Sequence, residues 1–262
     1  MISFNQLGNF GRLGNQMFQY SSLLGIANYH SYQISIPPPE VFGVNDALVR
    51  NSKSSIYDCF EVKSDYFGIQ NLPTMHERSF QFDQKLFETC PDNVNLHGYF
   101  QTEKYFKHIK GELKNVFLFH DEIKKKCKKY LPELKDKISL HVRRTDYLGI
   151  QNVLPVCPIE YYSKALDILE SKNKICFVFS DDLSWCREQP LFQKDNIIFV
   201  DKDVYVCLYL MTLCDYHILA NSSLSWWGAW LSNSKQVIAP KNWFADGIHN
   251  TTDLYCKEWY QL

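Results

Sequence analysis

Ile138-Ser139-Leu140-His141-Val142-Arg143-Arg144-Thr145-Asp146-Tyr147 starts as a short apolar run with β-branched residues and ends in two arginines, an aspartate and a tyrosine. The apolar run predicts a buried strand. Side chains alternate across a strand, so Arg143 and Arg144 cannot serve one partner unless the strand has already ended. The expectation is that one arginine faces a ligand while the other is held by a carboxylate, Asp146 being the nearest. A planar, permanently charged guanidinium at the end of a strand suits a diphosphate, which it grips bidentately. An arbitrary Arg-Arg pair is more often a surface salt-bridge cluster. Position favours the ligand, because open α/β sheets bind ligands at the carboxyl ends of their strands.

Outward from this stretch, the C-terminal half alternates. Strands are predicted at 138–142, 175–179, 197–200, 216–219 and 237–239, with helices at 159–170, 204–213 and 224–231. Such alternation predicts a parallel sheet in a Rossmann-like domain. Polar clusters sit at the strand ends: Arg143-Arg144, Ser180-Asp181-Asp182, Asp201-Lys202-Asp203 and Asn221-Ser222-Ser223. Together they read as a ligand rim. Asn221-Ser222-Ser223 precedes a helix, where hydroxyls and N–H groups can cap it or hold a phosphate.

Towards the N-terminus, a strand over 1–6 runs into Leu7-Gly8-Asn9-Phe10-Gly11-Arg12-Leu13-Gly14-Asn15-Gln16, and a helical pattern follows over 17–29. Strand, glycine-rich turn and helix bring backbone N–H groups close to an anion, although the spacing fits neither the dinucleotide fingerprint nor a Walker loop. A second strand is expected over 32–36, and Pro37-Pro38-Pro39 ends the unit. Residues 40–92 read as loops and short helices. Val94 to Gln101 reads as a strand entering a turn, and Thr102 opens a helix. A lysine-rich helix is expected over 121–130, its charge being a solvated face. A domain boundary falls within 112–137, taken as 1–125 and 126–262.

Composition excludes several classes. A net charge of -1 argues against a nucleic-acid binder. Nine cysteines without a CxxC pair indicate neither a zinc ribbon nor a disulfide framework, and most sit in apolar runs as reduced core residues. No secretory or spanning segment is present in the sequence, which points to the cytoplasm, with peripheral association at the inner face of the membrane. Two sequons, at Asn221 and Asn250, carry little weight without a secretory route.

Several motifs together resemble the α-1,2-fucosyltransferase family, glycosyltransferase family 11. They are Gly11-Arg12-Leu13-Gly14-Asn15-Gln16-Met17-Phe18-Gln19-Tyr20, Gly98 to Phe106, His141-Val142-Arg143-Arg144-Thr145-Asp146-Tyr147, Phe179-Ser180-Asp181-Asp182 and Asn221 to Leu231. They follow the family's order over nearly the whole chain. The resemblance implies a GT-B fold, two Rossmann-like domains facing across a cleft, the first on the acceptor side and the second holding the donor. It also implies GDP-L-fucose as donor, a galactose-terminated oligosaccharide of a cell-surface glycan such as an O-antigen as acceptor, and inversion without a metal. Carried over by residue, Arg143 would hold the diphosphate and stabilise leaving GDP, with His141 beside the nucleotide. Asn15, with Gly11, Arg12, Gly14 and Gln16, would serve the reaction centre from the N-terminal domain. Arg144, Asp146, Asp182, Asn221, Ser222 and Ser223 would bind substrate. The family often carries an acid at the start of the helix that here holds Val206-Cys207; if that acid reads guanine, Asp203 is the replacement candidate.

The chemistry agrees with these residues. Departing pyrophosphate needs its charge met, either by a metal on carboxylates or by fixed arginines and helix N-termini. Asp201-Lys202-Asp203 has the DxD spacing of metal-dependent transferases, but Arg143 already supplies positive charge and a lone DxD is common at loop ends. Trp226, Trp227 and Trp230 invite a sugar-stacking reading, yet they share one helix, so at least two belong to the core. Glu103, His97 and Asp146 are the candidates for a general base. A lectin-like module would leave the strand-end clusters unexplained; a GDP-sugar sensor without transferase activity, or a fucosyltransferase of another linkage, remain alternatives.

Overall fold

The computed structural model describes residues 1–41, 54–128 and 136–262. The chain divides into two compact units, Met1–His120 with Asn250–Cys256, and Asp121–His249 with Lys257–Leu262.

The first unit opens with β1 (Ile2–Ser3), the glycine-rich turn and α1 (Leu13–His30). Then come β2 (Ile34–Ile36), β3 (Tyr66–Phe67), β4 (Thr74–His76), α2 (Gln84–Thr89), β5 (Val94–His97) and α3 (Lys110–Val116). All strands are parallel, in the order β3-β2-β1-β5-β4. The order reverses between β1 and β5, so the loops leaving these two strands flank a topological switch point, where such sheets take ligands. α1 begins four residues before its predicted start because Leu13 is already in the core, only 1% exposed. From Leu13 to Ala27 the helix is buried everywhere except at Asn15 and Leu24. Within residues 40–92, partly outside the described set, two strands appear where loops were expected. Both β3 and β4 are sheet edges of two or three mostly exposed residues, too short for an alternation to register. The helix expected after Thr102 starts as 3-10 turns, with Thr102 accepting from the Lys104 N–H at 3.3 Å, before α3 takes over.

Close backbone packing anchors α1. A Cβ at Gly25 would lie 2.1 Å from the Tyr105 carbonyl oxygen, so only glycine lets the helix pass that segment. Because the obstacle is backbone, Gly25→Ala is expected to lower stability by about 3 kcal/mol, read as a shifted urea midpoint. An unchanged midpoint would contradict this packing.

The second unit comprises α4 (Asp121–Cys127), β6 (Lys137–Val142), α5 (Ile159–Ile168), β7 (Ile175–Ser180) and α6 (Leu183–Glu188). It continues with β8 (Ile197–Phe199), α7 (Val204–Thr212), β9 (Tyr216–Ile218), α8 (Ser223–Leu231), β10 (Gln236–Ala239) and β11 (Tyr260–Gln261). The lysine-rich helix thus runs to Cys127; residues 129–135 lie outside the described set. The sheet is again wholly parallel, ordered β11-β10-β9-β6-β7-β8. Counted from β6, that is the 3-2-1-4-5-6 order of dinucleotide-binding domains, with its switch point between β6 and β9. Leu140 on β6 pairs with Val178 on one side and Ile218 on the other. β6 and β7 are buried on both faces, as parallel strands under two helical layers must be.

All nine cysteines are free and buried. Trp226, Trp227 and Trp230 are all in the core, with Trp226 and Trp227 edge-on at 5.0 Å, so none of the three is a sugar platform. No helix of the described residues is long and apolar enough to cross a membrane.

Candidate active site

β6 ends at Val142, so Arg143 and Arg144 stand just beyond the strand at the second unit's switch point. Arg143 is held by two carboxylates, Nη2 to Asp146 Oδ1 at 2.5 Å and Nη1 to Asp181 Oδ2 at 3.0 Å, and its guanidinium lies 5.3 Å from the Tyr147 ring centroid. Arg144 is held separately: Nε donates to Asp182 Oδ2 at 3.2 Å and the guanidinium sits 4.5 Å over Trp185. Asp146 therefore partners Arg143 rather than Arg144, because the 3-10 turn Asp146–Gly149 carries it back over the strand end. Both arginines are fixed and neither simply faces solvent.

Asp181 is the hub. Besides Arg143, its carboxylate accepts the Arg144 N–H at 2.9 Å, the Thr145 N–H at 3.1 Å and the Thr145 hydroxyl. The guanidinium and these donors hold the carboxyl below its ordinary range, although burial opposes them. Asp182 caps α6, accepting from the Trp185 N–H at 3.1 Å with the oxygen that Arg144 does not use. Two guanidiniums against three carboxylates leave the cluster with no surplus positive charge.

His141 lies on β6, only 4% exposed, and Nδ1 has no hydrogen-bond partner among the described residues. Burial and the Arg143 charge push its pKa down to about 4, so the ring is neutral at pH 7. His217 on β9 is fully buried and also pushed down to about 4, chiefly by burial. A folded pKa below the unfolded value of about 6.5 means stability is complete above that pH and lost as pH falls towards 4. Each histidine is expected to remove about 3 kcal/mol over that window. His217→Leu should flatten roughly half of the acid loss in a pH series of melting temperatures; an unaltered series would assign the loss to other groups.

The remaining expected ligands divide. Ser222 is the N-cap residue of α8, yet its hydroxyl makes no capping bond, and Ser223 begins the helix; both are half-buried. Asn221, in contrast, is 1% exposed and turned inward, donating to the Pro155 carbonyl at 2.8 Å and the Trp243 carbonyl at 3.0 Å. Its side chain ties two loops to β9, with both amide hydrogen bonds spent on backbone. Asp203 caps α7 through the Val206 N–H at 2.9 Å and lies 3.8 Å from Lys126, so the expected guanine reader already holds a helix start. Among the described residues no group of three or more potential ligands could hold a metal ion.

In the first unit, Arg12 rather than Asn15 occupies the cap position of α1, with no side-chain capping bond. Asn15 stands in the first turn, and its Oδ1 accepts from Gln101 Nε2 at 2.8 Å. Gly11, at φ +93°, makes room for that side chain: a Cβ there would lie 2.5 Å from Asn15 Nδ2. The close approach allowed by this glycine is therefore to Asn15. Gly14 is buried inside α1. Gln16 is buried and tethers loops, donating to the Ser54 carbonyl at 3.0 Å and accepting from the Ile56 N–H at 2.9 Å. Of the candidate bases, Asp146 pairs with Arg143, Glu103 lies in a 3-10 turn, and His97 is pushed below its ordinary pKa by burial and by His76. Asp181, Tyr147 and Trp185 were not singled out from sequence, although each lies within four residues of a residue that was.

The family model described as glycosyl transferase family 11 matches residues 2–262. An alpha-1,2-colitosyltransferase of Escherichia coli is 30% identical over 96% of this chain and 96% of its own length. Galactoside alpha-(1,2)-fucosyltransferase 2 of Rattus norvegicus is 22% identical over 88% of this chain and 68% of its own. Among solved structures, the fucosyltransferase NodZ from Bradyrhizobium superposes with a TM-score of 0.57 at 12% identity, covering 88% of this chain and 93% of that one. POFUT1 in complex with GDP gives 0.54 at 13% identity, covering 91% and 96%. That likeness shows the fold, the GT-B type with its two Rossmann-like units. With the family model matched from residue 2 to the last residue and a relative similar over nearly its whole length, the chain belongs to glycosyl transferase family 11 and is a glycosyltransferase.

Proposed function

We propose that the protein transfers L-fucose from GDP-β-L-fucose to the 2-hydroxyl of a terminal β-galactoside, with inversion and without a metal. The observation that carries this reading is Arg143 at the switch point of a dinucleotide-type sheet, in a chain of this family. As the bond from the anomeric carbon to the diphosphate breaks, the carbon becomes oxocarbenium-like and negative charge grows on the departing GDP. Arg143 and the N–H groups at the start of α8 meet that charge, with Ser222, Ser223 and Asp182 lining the nucleotide pocket. The acceptor hydroxyl attacks the opposite face, the new glycosidic bond forms as the bond to GDP breaks, and the hydroxyl proton passes to solvent water. In this reading the second unit, Asp121–His249 with Lys257–Leu262, holds the donor and the first unit serves the acceptor. A soluble sugar nucleotide and a membrane-anchored glycan would bring the enzyme to the inner face of the membrane.

Incubating the purified protein with GDP-fucose and lactose tests the proposal. The expected result is an α-1,2-fucosylated product, a rate unchanged by EDTA, and thermal stabilisation by GDP rather than UDP. Absence of product would overturn the transfer, and a large EDTA loss restored by Mg²⁺ or Mn²⁺ would overturn the metal-free mechanism. The colitosyltransferase relative favours a second reading, transfer of colitose to the same position. Preferential turnover of the colitosyl donor in a parallel assay would establish it.

A further inference from the structure

The first unit has a switch point of its own, between β1 and β5, and aromatic rings collect there. Phe10, from the loop after β1, stacks on Tyr99 at 4.4 Å and on His97 at 5.0 Å, both at the end of β5. Phe80 extends the row, stacked on Tyr99 at 5.7 Å. All four rings are half-buried, so the row presents carbon surface while staying rigid.

Glu77, just past β4, pins this edge. Its carboxylate accepts the Tyr99 N–H at 2.8 Å and the Phe100 N–H at 3.0 Å. Phe100 adopts a left-handed backbone, φ +52°, which a phenylalanine keeps only where its surroundings impose it. Burial pushes the Glu77 carboxyl up to about 7, so holding it charged opposes folding at neutral pH, a sign of a positional role. Next along the turn, Gln101 is 6% exposed and its Oε1 has no partner among the described residues, while its Nε2 holds Asn15. A buried acceptor without a donor at a switch point matches a ligand hydroxyl.

We propose that the row Phe10–His97–Tyr99, pinned by Glu77, is the surface that receives the acceptor sugar, a β-galactoside. The apolar face of the sugar ring packs on aromatic carbon and a hydroxyl donates to Gln101 Oε1. This inference rests on the transferase reading above. Glu77 is a positioning residue and touches only the turn.

The test measures galactoside binding directly, by saturation-transfer NMR with methyl β-galactoside, beside the KM for lactose, the GDP affinity and the melting temperature. Tyr99→Ala is expected to raise the acceptor KM on the order of 10-fold and abolish the NMR signal, with GDP affinity within twofold. Tyr99→Phe should keep both. Glu77→Gln, which replaces one accepting oxygen by an N–H donor, should reproduce the KM effect without moving GDP affinity. Unchanged acceptor KM and NMR signal in Tyr99→Ala would overturn the proposal, as would equal losses of acceptor and GDP binding. If the wild-type protein failed to bind GDP, the donor reading would fall while the NMR comparison still decided the platform. A wild-type protein giving no galactoside signal and no transfer would overturn both.

Discussion

Arg143→Lys is expected to lower turnover nearly as far as Arg143→Ala, each by about 10³-fold. The guanidinium uses two different nitrogens for two different carboxylates, Asp146 at 2.5 Å and Asp181 at 3.0 Å. A lysine ammonium supplies charge without that fork. It could meet one carboxylate or one phosphate oxygen but could not bridge two in a fixed plane. On the proposed reading the arginine would exchange a carboxylate for phosphate, and Asp146, 40% exposed against 18% for Asp181, is the one more open to solvent. Asp181 keeps the fork aligned meanwhile, because three donors of the 143–145 segment besides Arg143 already hold it. Turnover, GDP affinity and melting temperature on one preparation decide the matter. Full activity in Arg143→Ala would move the role to Arg144, which would then have to leave Asp182 and Trp185.

Asn15→Ala is expected to reduce kcat by about 10²-fold while GDP affinity stays within twofold, since GDP would be held by the other unit. Its carbonyl is occupied by Gln101 at 2.8 Å, which sets the amide plane and orients Nδ2, the group able to donate to developing charge. Capping is not its task, for Arg12 holds that position. A purely structural Asn15 would lose one hydrogen bond, about 1 kcal/mol, and leave turnover intact. A destabilised but fully active variant would retire the catalytic assignment.

Much of this arrangement was legible because strand-end polarity is written in consecutive residues. The apolar run closed by Arg143-Arg144 marked the strand and the switch-point cluster, and the alternation over residues 138–239 marked the parallel sheet. Direction was not legible. Asn221 and Ser222 are neighbours with equal claims in sequence, yet one turns inward to two carbonyls while the other keeps its hydroxyl out of the cap. Gln16 went the same way, its amide taken by backbone 38 and 40 residues distant. Asp181 stood in the Ser180-Asp181-Asp182 cluster without a role of its own, because its importance lies in four bonds made to residues 143–145. Glu77 carried no signal at all: one acid in a polar stretch becomes a pin only through an edge strand too short to see.

Chain order has a consequence for synthesis. Asp253, in the segment Asn250–Cys256, accepts the Phe82 N–H at 3.0 Å and pairs with Lys104 at 2.5 Å, although the rest of that unit ends at His120. A nascent chain therefore carries its first unit unfinished, its five strands complete at His97, while more than a hundred further residues are translated. Only after residue 256 has emerged can that unit close, and the segment that follows, Lys257–Leu262, then delivers β11 to the other sheet. A gene cut after codon 120 would give a first fragment that lacks its closing piece, prone to proteolysis and aggregation unless the second fragment, which carries that piece, were made with it.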